Sequence, residues 1–163
     1  MLLKKSGILI AISALIAVNL AIQIARFNSY TLFMKGLNLK IEMTDLQKSA
    51  TNVKAKFSFD LTTKEKETHA YVSGIQLLLK IGDADLGYHP IVGDQDMLGE
   101  FKDGKFHYTT TIKFSNAQAA DLLAFLGKKK ISYKAYVELH VVQGRHNLRS
   151  VPALQGNVME AIK

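Results

Sequence analysis

The chain contains no cysteine. That excludes disulfides, thiolate metal sites, a cysteine nucleophile and a lipidated N-terminal cysteine. It leaves the compartment open, because a cysteine-free domain suits either side of a membrane. Arginine is scarce too, present only as Arg26, Arg145 and Arg149. Nucleic-acid binders usually show a broad basic stripe with arginine or aromatics interleaved. Here the one tight basic run is Lys128, Lys129 and Lys130, so no nucleic-acid partner is expected. Also missing are G-x-S-x-G, H-E-x-x-H, G-x-G-x-x-G and Walker loops. A nucleophile triad need not be contiguous, but no residue pattern argues for one. The expectation is therefore no enzymatic activity, no cofactor, and no catalytic, cofactor-binding or metal-binding residue.

What is present first is a long apolar run. Residues 7–25 carry no charge and only three polar side chains, Ser13, Asn19 and Gln23. As a helix rising 1.5 Å per residue the run reaches about 28 Å, close to one hydrocarbon thickness. Lys4 and Lys5 precede it and Arg26 follows. This two-to-one bias, with the N-terminal amine, places the N-terminus in the cytoplasm and the rest of the chain outside. A cleaved signal peptide has similar length and flanks, but no small-x-small site follows the apolar core. Residues 1–26 are thus expected as an uncleaved transmembrane anchor whose residues 7–25 contact membrane lipid. Residues 27–36 read as a juxtamembrane linker, with Phe27, Tyr30 and Phe33 suited to the headgroup region. Three flanking cations account for part of the net charge of +7, leaving 18 basic and 14 acidic residues in the remainder. Such a mild excess suits solubility and some attraction to anionic headgroups.

Period-two alternation then takes over. Leu37, Leu39, Ile41 and Met43 alternate with polar residues, as do Val53, Ala55, Phe57, Phe59 and Leu61, and each set predicts a half-buried strand. Residues 46–51 read as a turn and residues 62–69 as a charged loop. Ile75, Leu77, Leu79 and Ile81 predict a third strand, with Leu78 suggesting partial cover on its other face. Gly82-Asp83 signals a hairpin into a short return strand over 84–88. Residues 90–105 read as turn-rich, ending in the tight-turn pair Asp103-Gly104. Another strand runs from Phe106 to Phe114. Ser115 and Gln118 form an S-x-x-Q capping box, followed by apolar Ala119, Leu122, Leu123, Phe125 and Leu126 and a stop at Gly127. The longest strand is expected from Ile131 to Val141, a loop over 143–147, and a last strand or two over 148–162, with Pro152 at an edge or bend. One helix among so many strands predicts a mainly β fold: an antiparallel immunoglobulin/fibronectin-like sandwich over residues 37–163, preceded by the transmembrane helix.

Several stretches resemble the LEA type 2 or WHy (water stress and hypersensitive response) family. They are the G-L-x-L of residues 36–39, the G-I-Q-L-L-L-K-I-G-D-A-D-L-G of residues 74–87 and the strand–helix unit of residues 109–127. The strand I-S-Y-K-A-Y-V-E-L and the tail V-P-A-L-Q-G-N-V of residues 151–158 are similar to the family's last strands. The resemblance covers most of residues 36–160. It departs at residues 61–64, where the family often carries Asn-Pro-Asn. It implies a fibronectin-like sandwich with a non-enzymatic, membrane- or envelope-associated role linked to stress protection, and it supplies no catalytic residues.

The remaining polar candidates have ordinary explanations. Of the five histidines, His69, His89, His107, His140 and His146, no two share a helix at metal-ligand spacing. His107 and His140 fall on the polar side of their strands, where cross-strand or solvated positions are expected, and His146 stands beside Arg145. The pairs Asp83/Asp85 and Asp94/Asp96 lack the looped ligand series of a Ca²⁺ site, and aspartate is common in turns. Lys128–Lys130 suit a helix C-terminus. The function expected is a membrane-anchored, non-catalytic binding or protective module at the cell envelope, with protein partners or self-association. The alternatives are a structural subunit of an envelope or virion assembly, and a carrier of lipid or a small apolar ligand.

Overall fold

The structure, a computed structural model, describes residues 2–49, 52–93, 97–143 and 146–161. It opens with one helix, α1 (Leu2–Lys35). This helix is long and apolar enough to cross a membrane, or to serve as a signal sequence. From residue 12 to residue 25 every side chain is exposed. Residues 27–35 continue the helix, where a linker is expected from sequence. From Arg26 to the end of the helix the partly or fully covered residues are 26, 29, 30, 31, 33 and 34, which contain the i, i+3, i+4 spacing of a helix with one face on a core.

Ten strands follow. They are β1 (Asn38–Lys48), β2 (Val53–Thr62), β3 (His69–Ile81), β4 (Ala84–Val92), β5 (Gly99–Glu100), β6 (Lys105–Phe114), β7 (Ile131–Gln143), β8 (His146–Ser150), β9 (Ala153–Asn157) and β10 (Met159–Glu160), with helix α2 (Asn116–Phe125) between β6 and β7. One sheet has the order β10-β1-β2-β6. The other has the order β4-β3-β7-β8, with β5 beside β3 and β9 beside β7. All pairings are antiparallel except the short β1–β10 pair. The two inner faces form one core, in which Ile41, Met43, Phe57, Phe59, Leu61, Ile75, Leu77, Leu79, Ile81, Val137, Leu139 and Val141 are buried. The alternation read from sequence is thus the alternation that is buried, because successive strand side chains point to opposite faces. The mainly β sandwich expected from the pattern is the observed fold.

Strand ends differ from the sequence reading in a consistent direction. β1 runs on to Lys48 through an irregularity between Met43 and Asp45, where a turn is expected. β4 runs on to Val92, with Pro90 opposite Gln76. Proline is tolerated there because β4 is an edge strand and its missing N–H leaves the ladder intact. β8 begins at His146, inside the expected loop, and β3 equals β7 in length at 13 residues. Two hairpin signals hold. Ile81 and Ala84 close the Gly82-Asp83 turn. Asp103 and Gly104 both adopt positive φ, 51° and 71°, as a primed two-residue turn requires.

Candidate functional site

Two regions concentrate the chain's polar and structural features. The first is the junction of α1 with the sandwich. Phe33, expected among headgroups, is fully buried in the core, its ring edge-on to Phe101 with centroids 5.2 Å apart. Tyr30 and Met34 pack beside it. The Thr63 hydroxyl donates to the Phe33 carbonyl at 3.2 Å and accepts the Glu65 N–H at 3.3 Å. The Thr63 N–H donates to the Gly104 carbonyl at 2.8 Å. The β2–β3 loop is therefore braced on one side by the Asp103-Gly104 turn and on the other by the end of α1. Between helix and loop lies a cleft of about 270 Å³, with Ala25, Arg26 and Ser29 on one wall. Glu65, Glu67, Thr68, His69 and Val142 form the other. The signal for this docking was in the sequence: Tyr30, Phe33, Met34 and Leu37 are spaced i, i+3, i+4, i+7.

The second region is the pole carrying α2. The Gln118 side-chain oxygen accepts the Ser115 N–H at 2.9 Å, as the S-x-x-Q signature predicts. The Gln118 amide also lies over Gly87, where a Cβ would meet its nitrogen at 2.1 Å, and Gly87 has φ of +96°. Positive φ favours glycine there, and any Cβ would displace the Gln118 amide. Beside it His89 is half-buried, its Nε2 2.9 Å from the Leu86 carbonyl and its ring edge-on to Phe114. Burial holds its pKa below the ordinary histidine value, against the opposing pull of the Leu86 carbonyl and Asp85. The Tyr133 hydroxyl donates to the Leu39 carbonyl across the sheets, and burial raises its pKa. Gly156, opposite Tyr133 in register, leaves room for that ring. Two glycines of the resembling stretches, Gly87 and Gly156, thus have packing explanations.

The other candidate residues are dispersed. His107 pairs across strands with Asp60, Nδ1 to Oδ1 2.7 Å. His140 stacks on its cross-strand neighbour Tyr71 and stands 3.5 Å from Glu138, which also takes Arg149 at 2.8 Å. Both histidines are in the cross-strand positions expected. His69 lines the junction cleft, and His146 starts β8; Arg145 lies outside the described residues. Among the described residues no three His, Asp or Glu side chains converge. Asp85 accepts the Gly87 N–H at 2.8 Å, a turn role, while Asp94 and Asp96 lie outside the described residues. Lys128 donates to the Ala124 carbonyl at 3.1 Å and Lys129 sits 4.4 Å from the Phe125 ring centre. These are the contacts of a basic run closing a helix. A second cleft, about 600 Å³, lies against Leu78, Lys80, Lys134, Gln155 and Asn157 of the neighbouring strands β3, β7 and β9.

No family model and no curated protein matches the chain. Among solved structures, a protein from Archaeoglobus fulgidus is similar over 74% of this chain and 93% of its own, at 8% identity and a TM-score of 0.40. A solution structure described as that of a late embryogenesis abundant (LEA) protein is similar over 74% of this chain and 70% of its own, at 12% identity and a TM-score of 0.41. A Bordetella pertussis protein described as ApaA is similar over 76% and 93%, at 7% identity and a TM-score of 0.39. At such identities and scores no residue role passes from these proteins to this chain.

Proposed function

We propose that the protein is a single-pass membrane protein whose α1 anchors a non-catalytic β-sandwich, and that the sandwich acts as a binding or protective module on the outer side of that membrane. One observation supports this above the others. The apolar side chains of residues 12–25 are all exposed, and cover by the protein begins at Arg26, where the apolar run ends. Ile16, Val18, Leu20 and Ile24 each leave more than half their surface uncovered. A ring of exposed apolar side chains of that length is stable in hydrocarbon and not in water. The non-catalytic reading is supported by the ordinary structural contacts of the polar side chains described above.

Alkaline carbonate extraction of membranes from expressing cells tests the anchor. The full chain stays in the pellet at its full mass, and Leu15→Arg shifts it to the supernatant, because arginine mid-span costs about 2.5–3.5 kcal/mol in insertion. Release of the unmodified chain by carbonate, or loss of its first two dozen residues, refutes the anchor.

A further inference from the structure

The junction between α1 and the sandwich fixes where the sandwich must sit. α1 is continuous through Lys35, and Phe33 locks its last turns into the core. The last residue of the apolar run, Ala25, lines the same cleft as Glu65, Glu67 and His69. Ala25 and Ser29 are four residues apart, a rise of about 6 Å along the helix. The headgroup layer on each side of the hydrocarbon core is of the same order, about 5–8 Å. The β2–β3 loop therefore has no room to stand clear of the bilayer.

We infer that residues 63–68, together with the Arg26–Ser29 turn, form a surface that sits directly in the headgroup layer of a phospholipid bilayer. This rests on α1 being the membrane span. The loop's chemistry suits a zwitterionic headgroup. Lys64 and Lys66 alternate with Glu65 and Glu67, so the loop carries no net charge. It offers ammonium groups to lipid phosphates and carboxylates to lipid amines. Phe27, two-thirds exposed on the neighbouring turn, is an aromatic of the kind enriched at this depth. The start of the loop is held to α1 and to the Asp103-Gly104 turn through the Thr63 bonds to Phe33 and Gly104, and the Glu65 N–H closes on the Thr63 hydroxyl. The far end of β3, beside α2 and Lys128–Lys130, closes a strand of 13 residues that starts at His69, a path of roughly 40 Å. That end and the outer sheet faces are left for partners.

The absence of cysteine allows clean labelling. Val18→Cys, Lys66→Cys and Asp83→Cys, each in the full chain, receive a nitroxide and are reconstituted into phosphatidylcholine vesicles. Accessibility to oxygen and to a water-soluble nickel chelate is then read by power saturation. The Val18 label is expected to meet oxygen and not nickel, and the Asp83 label to meet nickel freely. Nickel accessibility of the Lys66 label is expected to fall at least about threefold below that of Asp83, as for a group in the headgroup layer. A Lys66 label as accessible to nickel as Asp83, with Val18 immersed, overturns the seating and leaves the anchor standing. A Val18 label open to nickel overturns the anchor itself. Protection of Lys66 only when phosphatidylserine is added overturns the zwitterionic assignment.

Discussion

Replacing Phe33 by alanine tests how firmly the helix is joined to the sandwich. Its side chain is fully buried and meets Phe101 edge-on. Truncating a buried phenylalanine to alanine costs about 3–5 kcal/mol, part of it for the cavity left behind. The aromatic pair adds about 0.5–1.5 kcal/mol to what burial alone gives. Phe33 lies at one end of the core, where neighbouring turns can relax, so the lower figure is the better expectation. At about 2–4 °C per kcal/mol for a chain of this size, a loss near 3 kcal/mol lowers Tm by roughly 6–12 °C. The assay is thermal unfolding of the full chain in detergent, followed by near-ultraviolet circular dichroism. Phe27→Ala is the internal reference: it removes the same ring from the same helix, but from an exposed position. Surface changes of that kind stay within about 0.5 kcal/mol. Phe33→Leu keeps more of the volume but loses the aromatic pair, and should cost less than Phe33→Ala. A Phe33→Ala variant melting within a degree or two of the parent, or no lower than Phe27→Ala, would refute the docking. It would also remove the rigid join on which the headgroup seating depends.

Two further outcomes follow from the pole carrying α2. Gly87→Ala should destabilise by more than about 1 kcal/mol, since it places a side chain at positive φ and drives Cβ into Gln118. Gln118→Ala alone should cost the capping bond to Ser115, and in its background the Gly87→Ala penalty should shrink but not vanish; a penalty unchanged or abolished in a urea double-mutant cycle would contradict this account. His89 supplies a pH dependence. Its folded pKa lies below its unfolded value, so its contribution is complete above the unfolded pKa and is lost as pH falls through the folded one. Stability should decline on acidification below about pH 6.5, and His89→Gln should flatten that decline. An unchanged slope in the variant would assign the acid sensitivity to other groups.

Much of this protein is set by local pattern. Alternation over residues 37–43, 53–61, 75–81 and 131–141 specifies both the strands and their buried faces, because a strand's side-chain period is two and one face must leave water. The capping box at Ser115 and Gln118, the Asp103-Gly104 turn and the Gly127 stop are equally local, each resting on a backbone geometry that few residues satisfy. The apolar run is fixed by composition alone. Tertiary structure decided the rest. Pro90 is a strand residue only because β4 is at an edge, and edge position is not a property of the proline. Glycine at positions 87 and 156 is explained by Gln118 and Tyr133, which reach those positions from other elements. Phe33 is the clearest case. On sequence it is one of three aromatics near a membrane boundary, and its helical spacing with Tyr30, Met34 and Leu37 fits either a lipid-facing or a core-facing turn. What separates the two is whether a core lies within reach, and that depends on Phe101, 68 residues later in the chain, folding back to meet it.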